Sequence, residues 1–162
     1  MNEALIFDSI RSPRGKNKNG SLSQLTPVDL LSKLMLTLEK KYQLDTSLID
    51  DVIIGCVMPV KDQGANIGKI AAQYSGWNTD VPSMQINRCC GSGLEAVNLG
   101  AMKIRSGWED LIVSGGIECM SRVPIGADGG PMAFETKVSS RTNYVPQGIG
   151  ADLIATIEGF TR

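Results

Sequence analysis

The stretch INRCCGSGLEAV, Ile86–Val97, decides how the chain folds. It is preceded by VPSMQIN, a short apolar run of the kind that forms a strand, and it opens into Leu94, Val97, Ala101 and Ile104, which recur at helical spacing as far as Ser106-Gly107. A strand that passes through a glycine turn into an amphipathic helix is one half of a β-α-β unit. The two adjacent cysteines, Cys89 and Cys90, fall at the junction. In open α/β sheets ligands are met at the carboxyl ends of strands, so the junction is where chemistry is expected.

The same alternation continues outward in both directions. EALIFDSI near the N-terminus reads as a strand, followed by the polar, turn-rich RSPRGKNKNGSLSQ. Thr26-Pro27-Val28-Asp29 opens a helix with Thr26 as N-cap and Pro27 at the first helical position, and Leu31, Leu34, Met35, Leu38 and Tyr42 mark its apolar face. Lys40 and Lys41 lie at the negative end of its dipole. DDVIIGCV is a second strand, Asn66 caps a short helix through Ile67, Ile70, Ala71 and Tyr74, and DLIVSGG is a further strand after the central helix. Repeated alternation of this kind predicts a largely parallel sheet between layers of helices.

Composition excludes several function classes. The 162 residues carry 16 Lys and Arg against 17 Asp and Glu, for a formal charge of −1, with no basic run interleaved with aromatics. Neither a nucleic-acid footprint nor a basic membrane-surface patch is present. No apolar run approaches the roughly 18 residues of a membrane span, and the first residues lack a basic-then-apolar leader, so no membrane partner and a cytoplasmic location are expected. Four cysteines, Cys56, Cys89, Cys90 and Cys119, at spacings unlike any zinc pattern, together with no histidine, argue against a metal site. All four are read as free thiols, and Cys56 as a small buried hydrophobe. Asn19-Gly20-Ser21 matches a glycosylation sequon by chance.

A thiol at a helix N-terminus faces unpaired backbone N–H groups and the positive end of the helix dipole, and both stabilise a thiolate. Gly91 and Gly93 keep bulk away, leaving room for a substrate and for N–H groups that hold an oxyanion, while Ser92 serves as a local hydrogen-bonding residue. Local chemistry alone leaves two readings open: a nucleophile poised for acyl transfer, or a packed strand-to-helix turn. A phosphate-binding loop is excluded because G-x-x-x-x-G-K-[ST] is absent.

The longer pattern is more specific. Asn87-Arg88-Cys89-Cys90-Gly91-Ser92-Gly93, followed about two dozen residues later by Gly115-Gly116-Ile117-Glu118-Cys119-Met120-Ser121, resembles the thiolase family, with its Asn-x-x-Cys-x-Ser-Gly and Gly-Gly-x-Glu-x-Met-Ser segments. The opening RSPRG and the strand–helix order are also similar to thiolases, among them acetyl-CoA acetyltransferases and 3-ketoacyl-CoA thiolases. The resemblance implies that Cys90 is the nucleophile, in a Claisen exchange between 3-ketoacyl-CoA and acetyl-CoA through a covalent thioester. Cys89 falls at a variable position and is placed at the end of the strand. The Cys90 N–H would contribute to an oxyanion hole, with Gly91, Ser92 and Gly93 supporting the turn. Asn87, Gly115, Gly116, Glu118 and Met120 would be structural residues near the site, Glu118 as an orienting carboxylate rather than a proton carrier. Cys119 is a packing residue.

The resemblance further implies a thiolase-like layered α/β/α half-domain with a mixed, mostly parallel sheet, truncated before its last strand. Residues 1–120 would form the half-domain carrying the nucleophile, and 121–162 the start of a loop domain, itself truncated. The expected substrates are coenzyme A and acyl-CoA, with no cofactor. The expected partners are further copies in a homodimer or homotetramer, joined through VPSMQIN, and the missing C-terminal portion. The family's Gly-His-Pro and Asn-Glu-Ala-Phe segments are not in the chain, and apart from Cys89-Cys90-Gly91 of the nucleophile turn itself there is no Cys-x-Gly segment to supply the second cysteine. The 162 residues alone are therefore expected to be inactive, and a non-catalytic binding or structural module is the alternative.

Overall fold

The computed structural model describes residues 3–161. Two compact units divide the chain, one ending at Ala127 and the other beginning at Asp128. In the first, the order is α1 (Pro27–Tyr42), β1 (Asp51–Gly55), α2 (Ile67–Tyr74), β2 (Ser83–Ile86), α3 (Ser92–Ser106) and β3 (Ile112–Gly116). The second holds α4 (Pro131–Phe134), α5 (Thr136–Thr142) and α6 (Gln147–Glu158).

The sheet runs β2-β1-β3 with both pairings parallel, and Ile53 stands opposite Met84 on one side and Ser114 on the other. This is the α/β arrangement expected from the strand–helix alternation. β1 is buried along its whole length, because successive side chains point to opposite faces and both faces are covered. Val52, Ile54 and Cys56 enter a core with Leu31 and Met35 of α1, Ile67, Ala71 and Ala72 of α2, and Trp77 and Val81. On the opposite face α3 lies across β1 and β3. Gly100 brings it close, since a Cβ there would meet the Ser114 hydroxyl. The far end of α3 is fixed by Lys103, whose Nζ reaches both Asp51 and Glu109.

The helices start and stop where local chemistry directs. Asp29 N–H donates to Thr26 Oγ1 (3.1 Å) and Thr26 N–H donates back to Asp29 Oδ2 (3.2 Å), a reciprocal cap on α1. The α2 cap is Asn66, whose Oδ1 accepts from Lys69 N–H at 3.2 Å. In the second unit α6 ends at Gly159 in the left-handed region, φ 70°, as its sequence position suggested. No helix of the described residues is long and apolar enough to cross a membrane.

One expected strand does not form. EALIFDSI has no strand assignment, and Leu5, Ile6 and Phe7 are 68%, 78% and 83% exposed. A helix closes its hydrogen bonds within itself, whereas a strand needs a neighbour to satisfy its backbone. None of the described residues pairs with this segment as a strand, and Asp8 ties it to α1 through an ion pair to Lys41 at 2.8 Å.

The C-terminal end of β1 is where α3 presses hardest. A Cβ at Gly55 would lie 2.6 Å from Gly93 N and closer still to the Ser92 carbonyl, whereas one at Gly93 would meet nothing within 4 Å. Gly55→Ala is therefore expected to lose stability at the upper end of the roughly 1–3 kcal/mol typical of overpacking, or more. Gly93→Ala should change it by less than about 1 kcal/mol. Urea unfolding of the two variants checks the contrast.

Candidate active site

The cysteine pair sits in a tight turn between β2 and α3. β2 ends at Ile86 and α3 begins at Ser92 with Gly91 as its N-cap. Gly91 N–H donates to Arg88 O and Ser92 N–H to Cys89 O, each at 3.0 Å, and between these two turns Cys89 takes a left-handed conformation, φ 45°. Cys89 is thus not the last residue of the strand, as the sequence suggested. Its N–H is taken by Asn87 Oδ1 at 2.9 Å, which draws the chain out of the ladder. The left-handed backbone costs a non-glycine residue about 1–2 kcal/mol, so the surrounding hydrogen bonds must hold it.

Ser92 supplies much of that hold. Its buried hydroxyl donates to Cys89 O (2.6 Å) and accepts from Arg88 N–H (2.9 Å), tying the first residue of the helix back across the turn. Cys90 immediately precedes the N-cap, and both Cys89 and Cys90 are exposed. The Arg88–Glu95 pair at 2.9 Å lies on the rim with Arg88 69% exposed, where an ion pair adds little.

The second motif reaches the same place from β3. Glu118 Oε2 accepts from Val57 N–H at 2.9 Å, and Asn87 Nδ2 donates to Val57 O at 3.0 Å. The backbone of Val57 is therefore held through its C=O by the Asn-x-x-Cys segment and through its N–H by the Gly-Gly-x-Glu segment. Behind it stands Gln63, fully buried. Its Nε2 donates to Glu118 Oε1 (2.7 Å) and Met58 O (2.9 Å), and its Oε1 accepts from Cys119 N–H. Both oxygens of Glu118 are thus engaged by donors of this chain.

Gly116 packs beside Gly55, where a Cβ would lie 3.2 Å from Gly55 O and 3.4 Å from Gly93 Cα, and Gly115 faces open space. Met120 is not part of the hydrogen-bonded group. With Gly93, Gly115, Gly116 and Glu118 it lines a cavity of about 670 Å³ beneath Leu34 and Leu38 of α1 and the loop Ser9–Asn17. Asn87 and Cys90 do not line that cavity.

Sequence reading did not single out Gln63 or the Val57 peptide. The only signal was a polar residue in the turn after β1, and periodicity does not register a buried amide. The remaining two thiols are placed as packing groups. Cys56 is buried, and loss of hydration, reinforced by the Glu118 charge, pushes its thiol up to about 11. Cys119 is buried as well. No group of three or more His, Cys, Asp or Glu among the described residues is arranged to hold a metal ion.

The site is an exposed thiol at a strand-to-helix turn of an α/β layer, beside a loop held by a glutamate that follows the next strand. Residues 4–152 match the family described as "Thiolase, N-terminal domain". The chain belongs to the thiolase family. It is 35% identical over 165 aligned residues to a 3-ketoacyl-CoA thiolase of Shewanella loihica, covering 100% of this chain and 42% of that protein. It is 38% identical over 125 residues to a steroid 3-ketoacyl-CoA thiolase of Mycobacterium tuberculosis, covering 77% and 30%. The crystal structure of the Bacillus anthracis acetyl-CoA acetyltransferase superposes with a TM-score of 0.69 at 33% identity, over 75% of this chain and 30% of that one. The chain thus spans 42% or less of the length of each of these relatives.

Removing the Gln63 amide would strip one donor from Glu118 and leave the Cys119 N–H without its acceptor. Buried polar groups left unpaired cost about 1–3 kcal/mol each, so Gln63→Leu is expected to lose roughly 2–4 kcal/mol in urea unfolding. A loss under 0.5 kcal/mol would mean that the amide does not brace this corner.

Proposed function

We propose that this chain is the nucleophile-bearing part of an acyl-CoA C-acyltransferase, with Cys90 as the acyl carrier. The observation that carries the reading is the exposed thiol one residue before the N-cap of α3, in a turn ordered by Asn87 and Ser92. Membership of the thiolase family and the acyl-CoA chemistry in its relatives' names support it.

In the degradative direction the Cys90 thiolate attacks the 3-keto carbon of a 3-ketoacyl-CoA. The C2–C3 bond breaks, acetyl-CoA leaves after protonation of its enolate, and the acyl group remains on sulfur as a thioester. Free CoA thiolate then takes the acyl group and restores Cys90. Run backwards with two acetyl-CoA molecules, the same steps give acetoacetyl-CoA. The covalent intermediate divides one difficult carbon–carbon step into two. The Cys90 N–H is assigned to the oxyanion hole of the acyl-enzyme, and Gly91 and Gly93 keep its approach clear. Glu118 is given an orienting role, because both of its oxygens are held by Val57 and Gln63. The chain contains no histidine. The base that deprotonates Cys90 and the acid that protonates the enolate are therefore assigned to protein outside these 162 residues, which predicts that they do not turn over alone.

On this proposal residues 1–120 are the catalytic half-domain and 121–162 the beginning of a loop domain. The substrates are coenzyme A thioesters, no cofactor takes part, and four free thiols suit a reducing cytoplasm. Two results test the carrier. Incubation of the complete protein with acetyl-CoA should add one acetyl group, mapped to the Cys90 peptide, and Cys90→Ser should abolish it while Cys89→Ser retains it. Acetylation mapped to Cys89 would reverse the assignment, and none on any thiol would favour a non-catalytic module.

Assembly through β2 is part of the same proposal. β2 pairs only with β1 among the described residues, so one edge is open to a second copy. Light scattering at micromolar concentration should give a dimer or tetramer. A monomer would count against an interface at this edge.

A further inference from the structure

The proposed acyl chemistry uses one thiol of an exposed pair and leaves Cys89 without a task. We propose that Cys89 and Cys90 together form a chelating dithiol site for monosubstituted trivalent arsenicals. Four arguments carry this.

The pair is accessible while the other thiols are not: Cys89 and Cys90 are exposed, whereas Cys56 and Cys119 are buried. The spacing suits an inserted atom better than a direct bond. Adjacent Cα atoms are about 3.8 Å apart across a trans peptide, short of the roughly 4.4–6.8 Å of an unstrained disulfide, and one thiophilic atom between the sulfurs lengthens the bridge. The Asn87 and Ser92 hydrogen bonds hold both residues in one turn, with Cys89 left-handed. The donor count selects the ligand. No third His, Cys, Asp or Glu among the described residues joins the pair in a metal-holding group, so a tetrahedral ion would lack half its ligands. A monosubstituted arsenic(III) centre needs only two soft thiolates beside its own carbon.

Binding of phenylarsine oxide balances without a redox step. Two As–S bonds form, the As–O bond breaks, and the oxide oxygen leaves as water with the two thiol protons. Arsenic remains trivalent. Cys90 is also the proposed acyl carrier, so chelation and acylation exclude each other, and that consequence alone rests on the acyl-transfer reading.

The test is intact mass spectrometry of the protein with equimolar phenylarsine oxide in excess glutathione. One phenylarsenic adduct is expected, mapping to the Cys89–Cys90 peptide, stable to the monothiol and removed by 2,3-dimercaptopropanol. Cys89→Ser and Cys90→Ser should each lower its retention by about 100-fold, the scale of effective concentration lost when a second linked ligand is removed. Circular dichroism verifies that both variants fold, and Cys89→Ala repeats the test without a hydroxyl. A glutathione-resistant adduct that survives in Cys89→Ser or Cys89→Ala overturns the proposal, as does a wild-type adduct that glutathione removes. Mass is read rather than turnover, so a failure of the acyl-transfer reading leaves this outcome unaffected.

Discussion

The contact on which the rest depends is backbone against backbone at the carboxyl end of β1. The start of α3 reaches Gly55 so closely that no side chain fits between them, and Gly116 brings β3 to the same point. Because the contact lacks side chains, it fixes the helix start to a narrow range of positions: there is no flexible group to take up a shift. Closeness also lets the loops beyond the strands exchange main-chain hydrogen bonds. Ile117 N–H donates to Gly55 O at 3.0 Å, and Cys56 N–H donates to Ile86 O at the same distance. The two motifs come together on Val57, two residues later, as a consequence.

This geometry explains a division of labour among polar side chains that their residue types do not reveal. Asn87, Ser92, Gln63 and Glu118 each have chemistry to offer a substrate, yet each is occupied with the chain's own backbone or with one another. Asn87 and Ser92 offset the strain of a left-handed Cys89, which an unsupported turn would relax. What the network leaves outward is the cysteine pair. A frame whose polar groups are engaged with the chain itself would hold the acyl carrier proposed above in a fixed position, which matters more for such chemistry than the number of nearby donors.

Much of this was legible in the sequence, for identifiable reasons. α1, α2 and α3 carry caps and apolar faces within one segment, so Thr26, Asn66 and the recurrence from Leu94 onward announced them. β1 and β3 are short apolar runs ended by glycine, and their strand character could be read. EALIFDSI has the same composition and formed no strand, because strand formation depends on a neighbour that a local pattern does not contain. Cys89 was misplaced by a related omission: counting residues along the strand does not register that Asn87 takes its N–H. Gln63 was missed because its importance lies in burial and in contacts with residues 55 and 56 positions away.

Burial also decides which cysteine is available for chemistry. Cys56 lies at the end of the central strand, near the same Glu118, and its location alone would make it a rival to Cys90. It is screened from water by the α1–α2 layer, and the thiolate it would need is opposed both by lost hydration and by the neighbouring carboxylate, which together hold its thiol up to about 11. The Gly55 contact produces this separation. Residues of β1 alternate between two covered faces, so a side chain that continues the strand, as Cys56 does, enters the core. The turn after β2 lies beyond the sheet, where neither helical layer covers it, and its thiols stay in water.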